Sequence, residues 1–313
     1  MAIDVTVRPM QESDLQETDR IMKLAFGTFI GLPDPMSFAG DADYVYTRYR
    51  SDPSAALVAE VDGKIAGSNF ALHWGSVGVF GPLTIHPDFW DKGVAIRLLE
   101  ATMGLFEKWQ VGHIGLFTFA QSSKHVHLYQ KFGFWPRFLT AIMSKPAARI
   151  QSSNMVRYSE LTAADKERAV EECKTLTGKI YGGLDLRKEI HSVDKQGLGD
   201  TILTYDDSLT GFAVCHCGPG TEAGSGNCYV KFGATAPGQS SSQHFESLLD
   251  ACESFAESRG LSRLVAGVNT ARHGAYRGMV ARKFRTDIQG IAMHNPNEPG
   301  YNREDVYLID DWR

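Results

Sequence analysis

The sequence has no apolar run long enough to cross a membrane, no surplus of basic residues and few cysteines, and each lack removes a class of function. A net charge of −5, from 32 Lys and Arg against 37 Asp and Glu, leaves no electrostatic footprint for nucleic acid. The first residues, MAIDVTVRPMQESD, carry neither a basic start nor a long apolar segment, so no signal or transit peptide is expected and the cytoplasm is the expected location. The five cysteines, Cys173, Cys215, Cys217, Cys228 and Cys252, all fall in the second half. Their odd number and lack of metal-ligand spacing predict reduced thiols and no metal site. Cys215 and Cys217 fall on one face of a strand and read as small buried apolar residues.

What is present is an ordinary globular composition, 43% hydrophobic and 11% aromatic, in a chain of 313 residues, a length that suggests two domains. The most informative stretch is 83–99, LTIHPDFWDKGVAIRLL, which reads as a buried strand, a proline-marked turn, a glycine loop and the start of an amphipathic helix. Ala95, Leu98, Leu99, Met103 and Phe106 recur at the helical period, while Arg97, Glu100, Glu107 and Lys108 fall on the other face. A helix opening near Gly93 would point unpaired N–H groups and the positive end of its dipole out of the loop, the layout of a phosphate site. An apolar run over 113–119, a polar turn over 121–124 and a short helix ending in LYQKFGF follow, with Gly133 suited to a left-handed helix end.

This order of strand, loop, helix, strand, helix and Gly-Phe resembles the core of the GNAT superfamily of acyl-CoA N-acyltransferases. The resemblance extends upstream to VTVRPMQESDLQETDRIMKLAFG, a first strand and helix, and to AALVAEVDGKIAGSNFALHWG, a hairpin, so that it spans roughly the first half.

The chain also resembles itself. Shifted by 150 residues, PDFWDKGVAIRLLEA from Pro87 falls on PGQSSSQHFESLLDA from Pro237, and the register holds without a gap to Phe134 against Phe284. Phe245, Leu248, Leu249, Cys252 and Phe255 repeat the helical stripe, with a stop at Gly260. Upstream, TILTYDDSLTGFAVCHCG reads as two strands joined at Asp206, Asp207 and Ser208, followed by a Gly-rich loop, GPGTEAGSGN. The expected fold is α/β: two tandem GNAT-like domains, 1–148 and 149–313, each a mixed central sheet flanked by helices, with the boundary in 145–154, KPAARIQSSN. In the second copy Gln243 stands for Gly93, Phe245 for Ala95, Met279 for Tyr129 and Arg272 for Ser122, so the working site is expected in the first. Arg272, Arg277, Arg282, Lys283 and Arg285 read as a solvated helix face.

The resemblance implies acetyl-CoA as co-substrate and transfer of its acetyl group to a primary amine of a small molecule or peptide. The family's phosphate loop has Gln or Arg, two residues, Gly, one residue, then Gly or Ala; here it reads Trp90, Asp91, Lys92, Gly93, Val94, Ala95, with Trp90 departing from the pattern. Leu83, Thr84 and Ile85 would pair edgewise with the pantetheine arm, after a break in the ladder at Gly81 and Pro82. Ser122 falls where many members have an Asn that contacts the cofactor, and Tyr129 occupies the tyrosine of LYxxxGF, the implied proton donor. Many relatives have a Glu base on the fourth strand, and 76–86 has none. Glu60, His73 and His86 are the titratable residues on or beside the sheet, a water chain is the alternative, and His125 alone is expected to share the face of Tyr129.

The acceptor is not legible. The acidic balance suits a polyamine, an aminoglycoside or a lysine-bearing peptide equally, and Trp74, Phe80, Phe89, Trp90, Phe134, Trp135 and Phe138 suit either a pocket or a core. The second copy is left as a wall of the acceptor site or the contact of a homodimer. Two other readings stay open: an acetyl-CoA sensor without activity, and transfer of another acyl group or to a hydroxyl.

Overall fold

Asp62 and Gly63, with φ of 49° and 70°, turn the chain back on itself, and the strands on either side pair as the expected hairpin. In this computed structural model, which describes residues 3–148 and 155–313, that hairpin is part of one continuous sheet. The first half contains β1 (Thr6–Pro9), α1 (Leu15–Phe29), α2 (Val45–Ser51), β2 (Ala56–Val61), β3 (Lys64–Trp74), β4 (Val77–Phe80) and β5 (Thr84–Ile85). It continues with α3 (Val94–Trp109), β6 (His113–Thr118), α4 (Ser123–Gln130) and β7 (Trp135–Pro146). The second half contains β8 (Met155–Arg157), α5 (Ala163–Ile180), α6 (Arg187–Gln196), β9 (Gly199–Tyr205), β10 (Leu209–Gly218) and β11 (Gly224–Thr235). It ends with α7 (Ser241–Ser258), β12 (Arg263–Asn269), α8 (His273–Ala281), β13 (Arg285–Asn295) and β14 (Leu308–Ile309). The Gly-rich stretch expected as a loop is partly strand: β11 already pairs at Gly224, opposite Gly218 across a bulge. Of the expected boundary segment, 149–154 lies outside the described residues.

The strand order is β1-β2-β3-β4-β6-β13-β7-β12-β11-β10-β9-β8. Each half therefore lends the other a strand: β13 lies between β6 and β7, and β7 lies between β13 and β12. The exchange follows the 150-residue shift. Val77 opposes His113 as Asn227 opposes Arg263, and Thr118 opposes Ile291 as Val268 opposes Ala141. At the centre Thr140 pairs with Gly290, its own counterpart, so the shift acts as a local two-fold rotation about that pair.

Helices cover both faces. On one, α1 and α2 pack Met22 and Val45 on Val58 and Phe70, and α5 and α6 pack Leu176 and Ile190 beside Leu72 and Trp74. On the other, α3 and α4 bring Leu99, Phe106 and Tyr129 to Leu116 and Met293, and α7 brings its stripe to Ala141 and Val230. Leu98, Leu99 and Phe106 are fully buried, each worth about 2 kcal/mol of apolar transfer, which is what selects this face of α3. All five cysteines are free, and all but half-buried Cys217 are fully buried. Cys215, Cys228 and Cys252 share one core cluster.

Candidate active site

The site begins where two parallel strands part. β4 and β6 run side by side from Val77 opposite His113 to Val79 opposite Gly115. β4 then stops at Phe80, and the chain resumes as β5, which pairs with β3 through Thr84 and Ser68, while β6 turns to β13. At the break Gly81 has a φ of 143°, its N–H donates to Phe70 O at 2.9 Å, and its carbonyl accepts from Arg48 Nη1 at 2.5 Å. Arg48 is buried and also forks onto Glu222 at 3.0 and 2.9 Å, so an ion pair reaching from α2 into the second half fixes the break. The parted strands open into a cavity of about 910 Å³.

At one side of that cavity stands the N-terminus of α3. Gly93 caps it with a φ of 85°, and the N–H groups of Gly93, Val94 and Ala95 make no hydrogen bond among the described residues. A Cβ built on Gly93 would meet no protein atom, so what the position requires is left-handed backbone and free space before the amides. Trp90, the departure from the family pattern, donates its indole N–H to Ile85 O at 2.8 Å and thereby ties the loop to β5. Asp91 pairs with Lys124 at 2.6 Å, and Lys92 lies over the Phe89 ring and does not line the cavity.

Tyr129 lines the cavity from α4, edge-on to Phe80 with ring centres 5.9 Å apart. Its hydroxyl makes no hydrogen bond among the described residues, and burial pushes its pKa up, so the phenol keeps its proton at neutral pH. One turn before it, His125 also lines the cavity and packs on Phe29, ring centres 4.9 Å apart. Burial, with Lys124 nearby, lowers the His125 pKa, leaving the imidazole neutral. His127 reaches the lining as well, which the helical period alone did not indicate.

The other expected residues lie elsewhere. Glu60 is held by Arg8 at 2.6 Å, His73 stacks on Trp109 with ring centres 4.8 Å apart, and His86 Nδ1 accepts from the Asp88 N–H at 3.2 Å. None of the three lines the cavity. Leu83, Thr84 and Ile85 do, whereas Ser122 caps α4 by accepting from the His125 N–H at 3.4 Å. Of the aromatics, Phe80, Phe89 and Trp90 line it, Trp74 and Phe134 are core, and Trp135 and Phe138 are exposed.

In the second half the same design is closed. The helix α7 starts three positions earlier than α3 under the shift, so Gln243 is already helical and Phe245 is fully buried. Between the parting strands β11 and β12 sits β14, with Ile309 and Leu308 opposite Gly233 and Ala234, the counterparts of Leu83 and Thr84. Arg272, expected on a solvated face, is fully buried and holds this segment through Asp310 at 2.6 Å. Beyond β14 the chain delivers Trp312 and Arg313 to the wall of the first half's cavity. Sequence reasoning missed these two, along with Arg48 and the α1 residues Met22, Phe26 and Phe29; the α1 stripe has the spacing of any core-facing helix.

Among the described residues no group of His, Cys, Asp and Glu could hold a metal ion, and no helix is long and apolar enough to cross a membrane.

Residues 19–134 match the profile of the Acetyltransferase (GNAT) family. No curated protein matches the chain. A protein from Pyrococcus horikoshii shares the fold with a TM-score of 0.69 at 14% identity, over 98% of this chain and 95% of that one. A GCN5-related N-acetyltransferase from Sphaerobacter thermophilus gives 0.58 at 12% identity, over 93% and 95%. Another from Anabaena variabilis gives 0.55 at 16%, over 93% and 72%. At these identities the likeness is one of fold.

Proposed function

We propose that this chain, whose residues 19–134 match the GNAT acetyltransferase family, moves an acetyl group from acetyl-CoA to a primary amine at one site, in the first of two tandem domains, 1–148 and 149–313. The observation that carries this reading is the asymmetry of the two clefts. One is filled by the protein's own strand β14, and the other stands open with free amides at Gly93, Val94 and Ala95 and the Tyr129 hydroxyl in its wall. The β14 pairing indicates how an extended ligand lies in such a cleft: along the edge at Gly233 and Ala234, hence along Leu83 and Thr84 in the open one. That edge fits a pantetheine arm, and the α3 terminus fits its pyrophosphate.

Acetyl-CoA supplies an acyl group activated as a thioester. The amine nitrogen bonds to the thioester carbonyl carbon as the C–S bond breaks, His125 takes a proton from the amine, and Tyr129 gives one to the departing sulfur. Both side chains hold the protonation states this needs, a neutral imidazole and a neutral phenol. Three measurements test these assignments. Calorimetry should find one acetyl-CoA per chain, and Gly93→Gln, the residue of the second copy, should weaken it at least 100-fold; undiminished binding would move the site. Tyr129→Phe should lower kcat by roughly 10²- to 10⁴-fold with little change in KM. The acid limb of the kcat/KM profile should lie below pH 6.5 and vanish in His125→Ala, and a limb that persists there would assign the base to another group.

A further inference from the structure

Beyond the break the cavity crosses to the opposite face of the sheet from α3, where α1 forms its wall. That wall is aromatic. Phe26 stacks on Phe38 with ring centres 5.0 Å apart, and Phe29 lies between Phe119 at 5.3 Å and His125 at 4.9 Å. Charge around the cavity runs the other way from that of the whole chain. Among the described lining residues the one side-chain carboxylate is Asp91, which is largely exposed, sits by the α3 loop and is held by Lys124; Lys131 adds a cation, and Arg313 a second that is paired with buried Asp311 at 3.2 Å.

A polyamine or an aminoglycoside would carry its additional ammonium groups into this space with no free carboxylate to meet them, and desolvating an unpaired charge is strongly unfavourable. An aromatic ring would instead bury its surface on Phe26, Phe29 and Phe119, with its amine within the reach of His125. Resting on the acetyltransferase reading above, we propose that the acceptor is an apolar monoamine of the arylalkylamine class, its ring seated between α1 and α4. The same apolar wall would also suit a long acyl chain on the donor. The acceptor is favoured because the wall adjoins His125, the group that receives the amine's proton.

The test is a comparison of kcat/KM, with the full chain and acetyl-CoA, for 2-phenylethylamine, tryptamine and spermidine. The arylalkylamines should exceed spermidine at least 100-fold. Phe29→Asp should narrow that ratio tenfold or more while calorimetric acetyl-CoA affinity is retained, and Phe38→Asp serves the same purpose if the first variant does not fold. A preference for spermidine, or an unchanged ratio in both variants, overturns the proposal, as does faster turnover of octanoyl-CoA than of acetyl-CoA with 2-phenylethylamine. Acetyl-CoA binding without turnover of any of the three amines also overturns it. Failure of acetyl-CoA to bind the unmodified chain overturns the acetyltransferase reading itself.

Discussion

Residues 1–148, produced without the rest of the chain, are expected to remain unfolded or molten, and to fold only when 149–313 is supplied as a second polypeptide. The reason lies in the strand order. Without β13, β6 and β7 face each other across a vacant strand position, with the ladders from Thr118 to Ile114 and from Ser144 to Trp135 both unmade. Met293, fully buried among Phe80, Phe106 and Tyr129, leaves a hole whose cost is about 2–5 kcal/mol by analogy with large-to-small core substitutions. Arg48, which fixes the break, loses its partners Glu222 and Arg313 O together with their cover. The unmade ladders add to these losses, against a net stability of only roughly 5–15 kcal/mol for an ordinary domain. Near-ultraviolet circular dichroism and co-purification of the two pieces would check this. A soluble 1–148 fragment with a sharp thermal transition of its own would contradict it.

The second large effect is loss of stability in mild acid. His113, His216 and His294 are buried, and their pKa values are lowered by burial to about 4, about 4 and about 3. His113 and His294 share a hydrogen bond of 2.9 Å with Arg137 near both, and among the described residues His216 has no partner for either ring nitrogen. Above the ordinary value near 6.5 these rings are neutral in both states and favour neither. Below it the unfolded chain takes up protons that the folded one refuses, so stability is whole above pH 6.5 and falls as pH drops toward 4. Three protons at about 1.4 kcal/mol per pH unit each give a slope near 4 kcal/mol per unit, or about 6 kcal/mol lost by pH 5. Urea unfolding at pH 7, 6 and 5 measures it directly, and equal free energies at pH 7 and 5 would dismiss the argument.

Much of this molecule is legible in its sequence where local chemistry decides. The stripe of Leu98, Leu99 and Phe106 specifies α3 and its buried face, and the left-handed glycine follows from a helix opening over a loop. The repeat at 150 residues carries through to the pairing of β4, β6 and β7 with their neighbours and of their counterparts in the second half. The exchange of β7 and β13 is not legible, because alternating residues define a strand and its buried face but not which neighbour it pairs with, and the repeat reads the same with either partner. The same limit explains Glu60, His73 and His86. Glu60 and His73 lie on strands and His86 just past one, as expected, but side-chain direction and competing partners take them away from the cavity. Arg272 was misread because charge normally marks a surface, and its partner Asp310 lies far along the chain.

The exchange also sets a schedule for the ribosome. When β7 emerges, the strand that must separate it from β6 is still about 140–150 residues from being made, since β13 spans Arg285–Asn295. At roughly 5–20 residues per second the nascent first half waits about 7–30 s with two unpaired strand edges. Edges of this kind accept any matching strand, and the best match available in that interval is β13 of a neighbouring chain that is further synthesised but has not yet closed its own sheet. Crowded polysomes should therefore yield interlocked pairs of chains, each closing the other's sheet, and slower initiation or a chaperone that covers the gap should suppress them.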